Sequence, residues 1–95
     1  MVVGICRITL IIHGNGSLKG KRQVLKSVIG KVKNKFNVSI AEVGGQDLWQ
    51  RAELGICAAG SDRAFVNSVM DSALNFMEGL HLAEITDHEI EMINC

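Results

Sequence analysis

The sequence has no proline and no tyrosine, and its first 41 residues contain no acidic side chain. Without proline, and without a tract rich in serine or glycine, no segment is typical of a linker. The 95 residues are enough for one hydrophobic core and too few for two. We therefore expect residues 1–95 to form a single domain. Its hydrophobic content of 47% is typical of a globular chain and excludes a disordered one.

Cysteine is also scarce, with three residues at positions 6, 57 and 95. This odd number, without a CxxC or cysteine–histidine spacing, argues against a disulfide framework and against a zinc site. The apolar residues 1–12 are too short to span a bilayer, and they lack the basic start and cleavage site of a signal peptide. We therefore expect a reduced, cytoplasmic protein with no metal, no cofactor and no membrane partner.

The net charge is zero, but the charges are segregated along the chain. Residues 1–41 hold eight cations and no acid, whereas residues 42–95 hold all ten acids and only Arg51 and Arg63. The two parts carry formal charges of +8 and −8. A neutral sum therefore says little about partners, and a cationic face could meet an anionic partner such as nucleic acid.

Hydrophobic periodicity predicts six elements in the order β-α-β-β-α-β. A period of two indicates strands over residues 2–13, 37–43, 53–59 and 82–93, and a period of 3.6 indicates helices over 18–36 and from about 62 to 77. Ser17 and residues 60–62 are good helix N-caps, and Gly79 is a good stop. The order fits an α+β, ferredoxin-like βαββαβ fold, with two helices on one face of a four-stranded antiparallel sheet. Its first and third strands would be central, with Cys6 and Cys57 on opposite faces.

The first predicted helix carries a stripe of cations. On a helical wheel, Lys19, Arg22, Lys26 and Lys33 align along one flank over about 20 Å. No acid lies within residues 18–36, so no neighbouring carboxylate neutralises them. Such a stripe is either a solvated face that keeps the protein soluble or a contact for the phosphates of RNA or the ribosome. The candidate nucleic-acid contacts are Lys19, Lys21, Arg22, Lys26, Lys33 and Arg51.

Aromatic residues limit how RNA could bind. Many ferredoxin-like domains stack bases on aromatic side chains of the central strands. Here Phe36, Phe65 and Phe76 fall on the apolar faces of the helices, so the helix and loops would have to meet the RNA. Trp49, the single tryptophan, lies in the polar connection between the second and third strands. It is either a partner contact together with Gln50 or a loop anchor that packs on the core, and we favour the anchor.

The outer face of the predicted sheet is more apolar than a surface that faces solvent usually is. Val3, Ile5 and Ile11 would lie there beside Cys57 and Ala59, forming a patch of the kind that marks an interface. Self-association as a homodimer would cover this patch. A homodimeric protein-interaction module is therefore the main alternative to RNA binding.

No grouping of side chains predicts catalysis. The three histidines share no ligand spacing, and neither a Ser–His–Asp set nor a carboxylate pair stands out. The loop at residues 14–17 precedes a helix, where an acylphosphatase-like enzyme would place its catalytic loop. Such an enzyme needs a loop arginine and an asparagine for the attacking water, and this loop has Asn15 but no arginine. We expect no enzyme and no small-molecule substrate, with acylphosphatase-like chemistry as a distant alternative.

Three segments are distinctive: SLKGKR at residues 17–22, FNVSIAEV at 36–43 and QDLWQRAELG at 46–55. Together they resemble the bacterial YlxP-like family, a domain of unknown function, in register over almost the whole chain. Gly20 departs from the pattern, since an acidic residue is expected there. The resemblance implies a ferredoxin-like fold, no established enzymatic activity, and genes encoded beside translation initiation and ribosome maturation factors. The matching motif positions, which bring no catalytic role, are Lys19, Lys21, Arg22, Gln46, Asp47, Trp49, Gln50 and Arg51.

Overall fold

The computed structural model describes all residues from Met1 to Cys95 and contains six elements in the predicted order. The strands are β1 (Val2–Ile11), β2 (Ser39–Gly44), β3 (Arg51–Gly60) and β4 (Glu84–Asn94), and the helices are α1 (Leu18–Lys35) and α2 (Arg63–Gly79). Each boundary lies within about two residues of its predicted position, as expected when periodicity is read at an element's end.

The four strands form one antiparallel sheet in the order β2-β3-β1-β4. β1 and β3 are central and pair along their whole length, from Val2 opposite Gly60 to Ile11 opposite Arg51. The registers of the two outer pairs are each interrupted once, β1–β4 between Thr9 and Leu10 and β2–β3 near the end of β2. This topology confirms the α+β, ferredoxin-like βαββαβ fold.

The core lies between the sheet and the two helices. Alternate side chains of β1 and β3 are buried because they face the helices, and Cys6, Ile8 and Leu54 are fully inaccessible to solvent. Cys57 is exposed on the opposite face, as the alternation predicts, and all three cysteines are free thiols. The helices contribute Leu25, Val28, Val32, Met70, Ala73, Leu74 and Met77 to the same cluster.

The helix starts match the predicted capping residues. The Ser17 hydroxyl accepts a hydrogen bond from the Gly20 amide at 3.0 Å, and the Asp62 carboxylate accepts one from the Phe65 amide at 2.8 Å. The predicted stop at Gly79 is wrong. The helix includes Gly79, Leu80 caps it, and His81 takes the left-handed conformation with φ of 54°. Neither helix is long and apolar enough to cross a membrane.

One aromatic side chain lies outside the position that the periodicity predicts. Phe36 and Phe76 pack against each other edge to face, with ring centroids 5.6 Å apart. Phe65 is instead 57% exposed. It belongs to the first turn of α2 and lies beside Gly60, the last residue of β3, where the sheet ends.

Candidate nucleic-acid interface

Lys21 is buried, although it lies in the most basic stretch of the sequence. Its side chain is 2% exposed. The ammonium donates hydrogen bonds to the carbonyls of Gly45 and Leu48, the second at 2.7 Å, and lies 3.3 Å from the Glu42 carboxylate. The two carbonyls accept hydrogens of the ammonium, while the Glu42 Oε2 atom makes no hydrogen bond and balances the charge as an ion pair. Without these partners the buried ammonium would lose its hydration uncompensated.

Lys21 is therefore unavailable to phosphates, and the prediction that it contacts nucleic acid is wrong. At about 100° per residue, Lys21 lies only about 40° from Leu25 on the helical wheel. Lys21 therefore belongs to the apolar face of α1, and its spacing from Leu25 is the feature of the sequence that indicates its burial.

Asn15 also holds the segment that contains Gly45 and Leu48. Its side-chain amide donates to the backbone carbonyls of Ser17, at 2.8 Å, and Trp49. The backbone carbonyl of Asn15 accepts a hydrogen bond from the Gln50 side-chain amide at 3.0 Å. The backbone amide of Ile12 adds a bond of 2.7 Å to the Gln50 carbonyl. The loop at residues 45–50, hereafter the β2–β3 loop, is thus tied to both the segment before α1 and α1 itself.

These contacts also bear on the acylphosphatase-like alternative. Asn15 is the residue that such an enzyme would use to position water, and here its amide is committed to two backbone carbonyls. No three histidine, cysteine, aspartate or glutamate side chains are grouped to hold a metal ion.

Trp49 does not anchor the β2–β3 loop, contrary to the interpretation favoured from the sequence. Its side chain is 55% exposed, and its neighbour Leu48 is 48% exposed. The anchors are Lys21 and Asn15, which hold backbone atoms of the loop. The tryptophan side chain therefore points outward from a fixed backbone.

The four cations that we call the basic stripe, Lys19, Arg22, Lys26 and Lys33, are all exposed. The ion pairs of the molecule are His13–Glu84, Lys21–Glu42 and Arg51–Glu53, so none of them involves the stripe. Gly30 lies between Lys26 and Lys33 and leaves open space beside the helix. Arg51 is also exposed, but at 3.7 Å Glu53 partly neutralises it.

The outer face of the sheet carries the predicted apolar residues in a mixed setting. Val3, Ile5 and Ile11 are half-buried there, and Cys57 and Ala59 are exposed. Across the β1–β4 pair, Ile93 lies opposite Val3, Glu91 opposite Ile5 and Glu89 opposite Arg7. The apolar patch therefore extends to Ile93 and is bordered by acids along β4.

The family model described as "Protein of unknown function (DUF503)" matches residues 3–90. The chain belongs to this family. A curated relative, "Uncharacterized protein YlxP" of Bacillus subtilis (strain 168), is 42% identical over 85 residues, covering 90% of this chain and 92% of the relative. The resemblance to the YlxP-like family is thereby confirmed.

Solved structures with little sequence identity share the fold. The C-terminal domain LarC2 of a cyclometallase is 10% identical with a TM-score of 0.56, covering 98% of this chain and 55% of that one. The protein YJCS is 11% identical with a TM-score of 0.55, covering 97% and 99%. The designed protein Foldit4 is 16% identical with a TM-score of 0.52, covering 99% and 97%. At these identities the similarity concerns the fold alone.

Within this family member, the fold brings residues of all three distinctive segments together. Residues 17–22 begin α1, Glu42 lies in β2, and residues 46–50 belong to the loop that Lys21 holds. Residues from these three segments line a small cavity of about 180 Å³. Arg22, Gln46 and Asp47 contribute polar groups to its lining. The candidate interface therefore consists of this junction and of the basic stripe that continues from it.

Proposed function

We propose that this protein is a non-enzymatic RNA- or ribosome-associated protein that contacts phosphates through the basic stripe of α1. The observation that carries the proposal is that all four stripe cations are exposed and free of ion pairs. Cations in this state can neutralise phosphates and release the counterions condensed on a nucleic acid, which favours binding.

The distribution of acidic side chains also favours α1 as the surface that would face RNA. Exposed carboxylates line β4 at Glu84, Asp87, Glu89 and Glu91, whereas α1 has none. A polyanion approaching the molecule is attracted toward α1 and repelled from the β4 edge. The open space at Gly30 would let a phosphate approach the helix between Lys26 and Lys33.

The test compares two double variants that remove the same number of charges. Lys26→Ala with Lys33→Ala removes stripe cations, while Lys31→Ala with Arg63→Ala removes exposed cations that lie elsewhere. Binding to purified ribosomal subunits and to structured RNA is measured over a range of salt concentrations. Removing one cation that touches a phosphate should reduce the log–log salt slope by about 0.7–0.9.

We expect the salt slope of the stripe variant to fall by about twice that amount, because both of its replaced lysines face the RNA. The control variant should bind as the wild type does. Equal reductions in both would mean that net charge, and not the stripe, governs binding. Undetectable binding of the wild type at low salt would overturn the proposal.

A second candidate function is self-association through the outer face of the sheet. Both free edges are unsuited to strand pairing, because β2 is short with an irregular register and β4 is lined by acids. With strands of 10, 6, 10 and 11 residues, the outer face measures about 600 Å², somewhat below what each partner buries in a standard interface. Val3, Ile5 and Ile93 would form the centre of a homodimer contact. Light scattering that shows a monomer at high micromolar concentration would overturn this candidate.

A further inference from the structure

The β2–β3 loop presents an aromatic side chain that the loop itself does not need. Trp49 is 55% exposed, while the hydrogen bonds from Lys21 and Asn15 hold the backbone on which it is mounted. A tryptophan is usually well buried, so an outward-facing one on a fixed backbone is a candidate contact. Because the backbone is already ordered, binding would not have to order it.

Cations lie in the two chain segments that adjoin the loop of this tryptophan. Lys21 touches the Leu48 carbonyl directly, so the first turns of α1, with Lys19 and Arg22, adjoin the loop. Arg51 follows Trp49 by two residues and is exposed, with its charge partly offset by Glu53 at 3.7 Å. A nucleotide stacked on the indole would therefore have positive charge near its phosphates.

The surroundings of Trp49 favour a nucleic acid over a protein partner. A hot-spot tryptophan in a protein interface usually lies at a dry, well-packed centre. Apart from Leu48, the exposed residues of this loop are polar: Gln46, Asp47 and Gln50. Aromatic rings flanked by basic side chains are instead the arrangement that holds unpaired bases.

We infer that Trp49 is a stacking platform for an unpaired base, so that the RNA bound by this protein includes a single-stranded segment. The inference rests on the proposed function and names its substrate class more narrowly. A duplex keeps its base faces inside its own stack and can offer only phosphates to the basic stripe. A single strand can use the stripe and Trp49 together.

The experiment uses the single tryptophan as its own probe. Trp49 fluorescence is recorded during titration with a 12-nucleotide oligoadenylate and with a 12-base-pair RNA duplex at low salt. We expect quenching by the single strand and little change with the duplex. Affinities for both fluorescein-labelled RNAs are measured in parallel by anisotropy.

Three variants separate stacking from other effects. Trp49→Ala should weaken single-strand binding about tenfold, within the range for removal of a base–aromatic stack, and leave duplex binding within about twofold. Trp49→Phe should retain most of the affinity, since it keeps an aromatic face. Phe65→Ala is the matched control, because Phe65 is as exposed as Trp49 but lies at the opposite end of the sheet.

The outcomes distinguish this inference from the proposed function. If Trp49→Ala binds the single strand as the wild type does, while the stripe variant is weakened, stacking is overturned and phosphate binding by the stripe stands. Quenching that is equal for the duplex would also overturn stacking of an unpaired base. If neither RNA binds the wild type, the proposed function fails as well.

Discussion

Different kinds of interaction stabilise the two ends of the sheet. At the end where α1 begins, polar groups join the β2–β3 loop to the helix, with Lys21 as the central donor. At the end where α2 begins, the contact is close apolar packing over two glycines. A Cβ atom at Gly4 would lie 2.5 Å from a methyl carbon of Val66, and one at Gly60 would lie 2.8 Å from the other.

The difference explains where the molecule can present a functional loop. Close packing requires side chains to face inward, because it depends on shape and on the exclusion of water. Hydrogen bonds from Lys21 and Asn15 to loop carbonyls hold only the backbone, and they leave the side chain of Trp49 outside. The polar end can therefore be rigid and still offer an aromatic surface.

Breaking the polar end should have the largest effect on stability. Lys21→Ala removes the partner of Glu42 and leaves the carbonyls of Gly45 and Leu48 without their donor. We expect the free energy of unfolding to fall by about 3–5 kcal/mol, measured by urea denaturation. Arg22→Ala is the matched control, since it removes an exposed cation next to Lys21 and should change stability by less than about 0.5 kcal/mol. Equal losses in the two variants would show that the buried ammonium does not support the loop.

Crowding the packed end should have a smaller effect. Gly4→Ala places a methyl group against Val66, and overpacking of this kind costs about 1–3 kcal/mol. Adding Val66→Ala should relieve the clash, so the double variant should lose less than the two single losses combined. Gly30→Ala is the control of opposite sign, because it adds a methyl group in open space within a helix and should stabilise the protein by about 0.5–1 kcal/mol. If Gly4→Ala is neutral, the approach of α2 to the sheet is not tight.

A milder change at the polar end is Asn15→Ala. It removes the donor to the Trp49 and Ser17 carbonyls, and we expect a loss of about 1 kcal/mol in the free energy of unfolding. The steady-state fluorescence anisotropy of Trp49 should fall, because its backbone loses one of its attachments. An unchanged anisotropy would mean that Lys21 alone fixes the loop.

The smallest expected effect at neutral pH is on the reactivity of the Cys6 thiol, which lies beneath α2 near the packed end. Burial, with a smaller contribution from the negative charge of Asp71, raises the pKa of the Cys6 thiol to about 11. A thiol reagent at pH 8 should therefore modify Cys57 and Cys95 and spare Cys6 until the protein is unfolded. Three reactive thiols in the native protein would show that this region opens readily.

The same shift has a consequence for stability at alkaline pH. The unfolded thiol ionises near a pKa of about 8.5, below the folded value, so between these two values the folded state holds the proton that the unfolded state has lost. Stability contributed by Cys6 is complete below that range and declines as the pH rises through it. Replacing Cys6 with alanine should remove this part of the alkaline decline.

Much of the fold follows from local patterns. The alternation in β1 correctly places Cys6 inside and Cys57 on the outer face, and Ser17 caps α1 as its side chain predicts. Lys21 shows where a short motif misleads, because the segment SLKGKR groups this buried lysine with the exposed Lys19 and Arg22. The helical wheel separates it from them and puts it beside Leu25. Its acceptors come from a loop more than 20 residues away, and a wheel contains no information about them.

By itself, the sequence determines the order of the elements, the segregation of charge and the exposed stripe on α1, since these depend on residue spacing within one element. Only the tertiary structure decides that Lys21 anchors the β2–β3 loop and that the Trp49 side chain does not. Both outcomes depend on where backbone carbonyls point after Gly45 turns the chain with a φ of 73°. Carbonyl direction is a property of the folded backbone and not of side-chain pattern. The buried Lys21 ammonium finds its two carbonyl acceptors in this loop, and the tryptophan side chain stays at the surface.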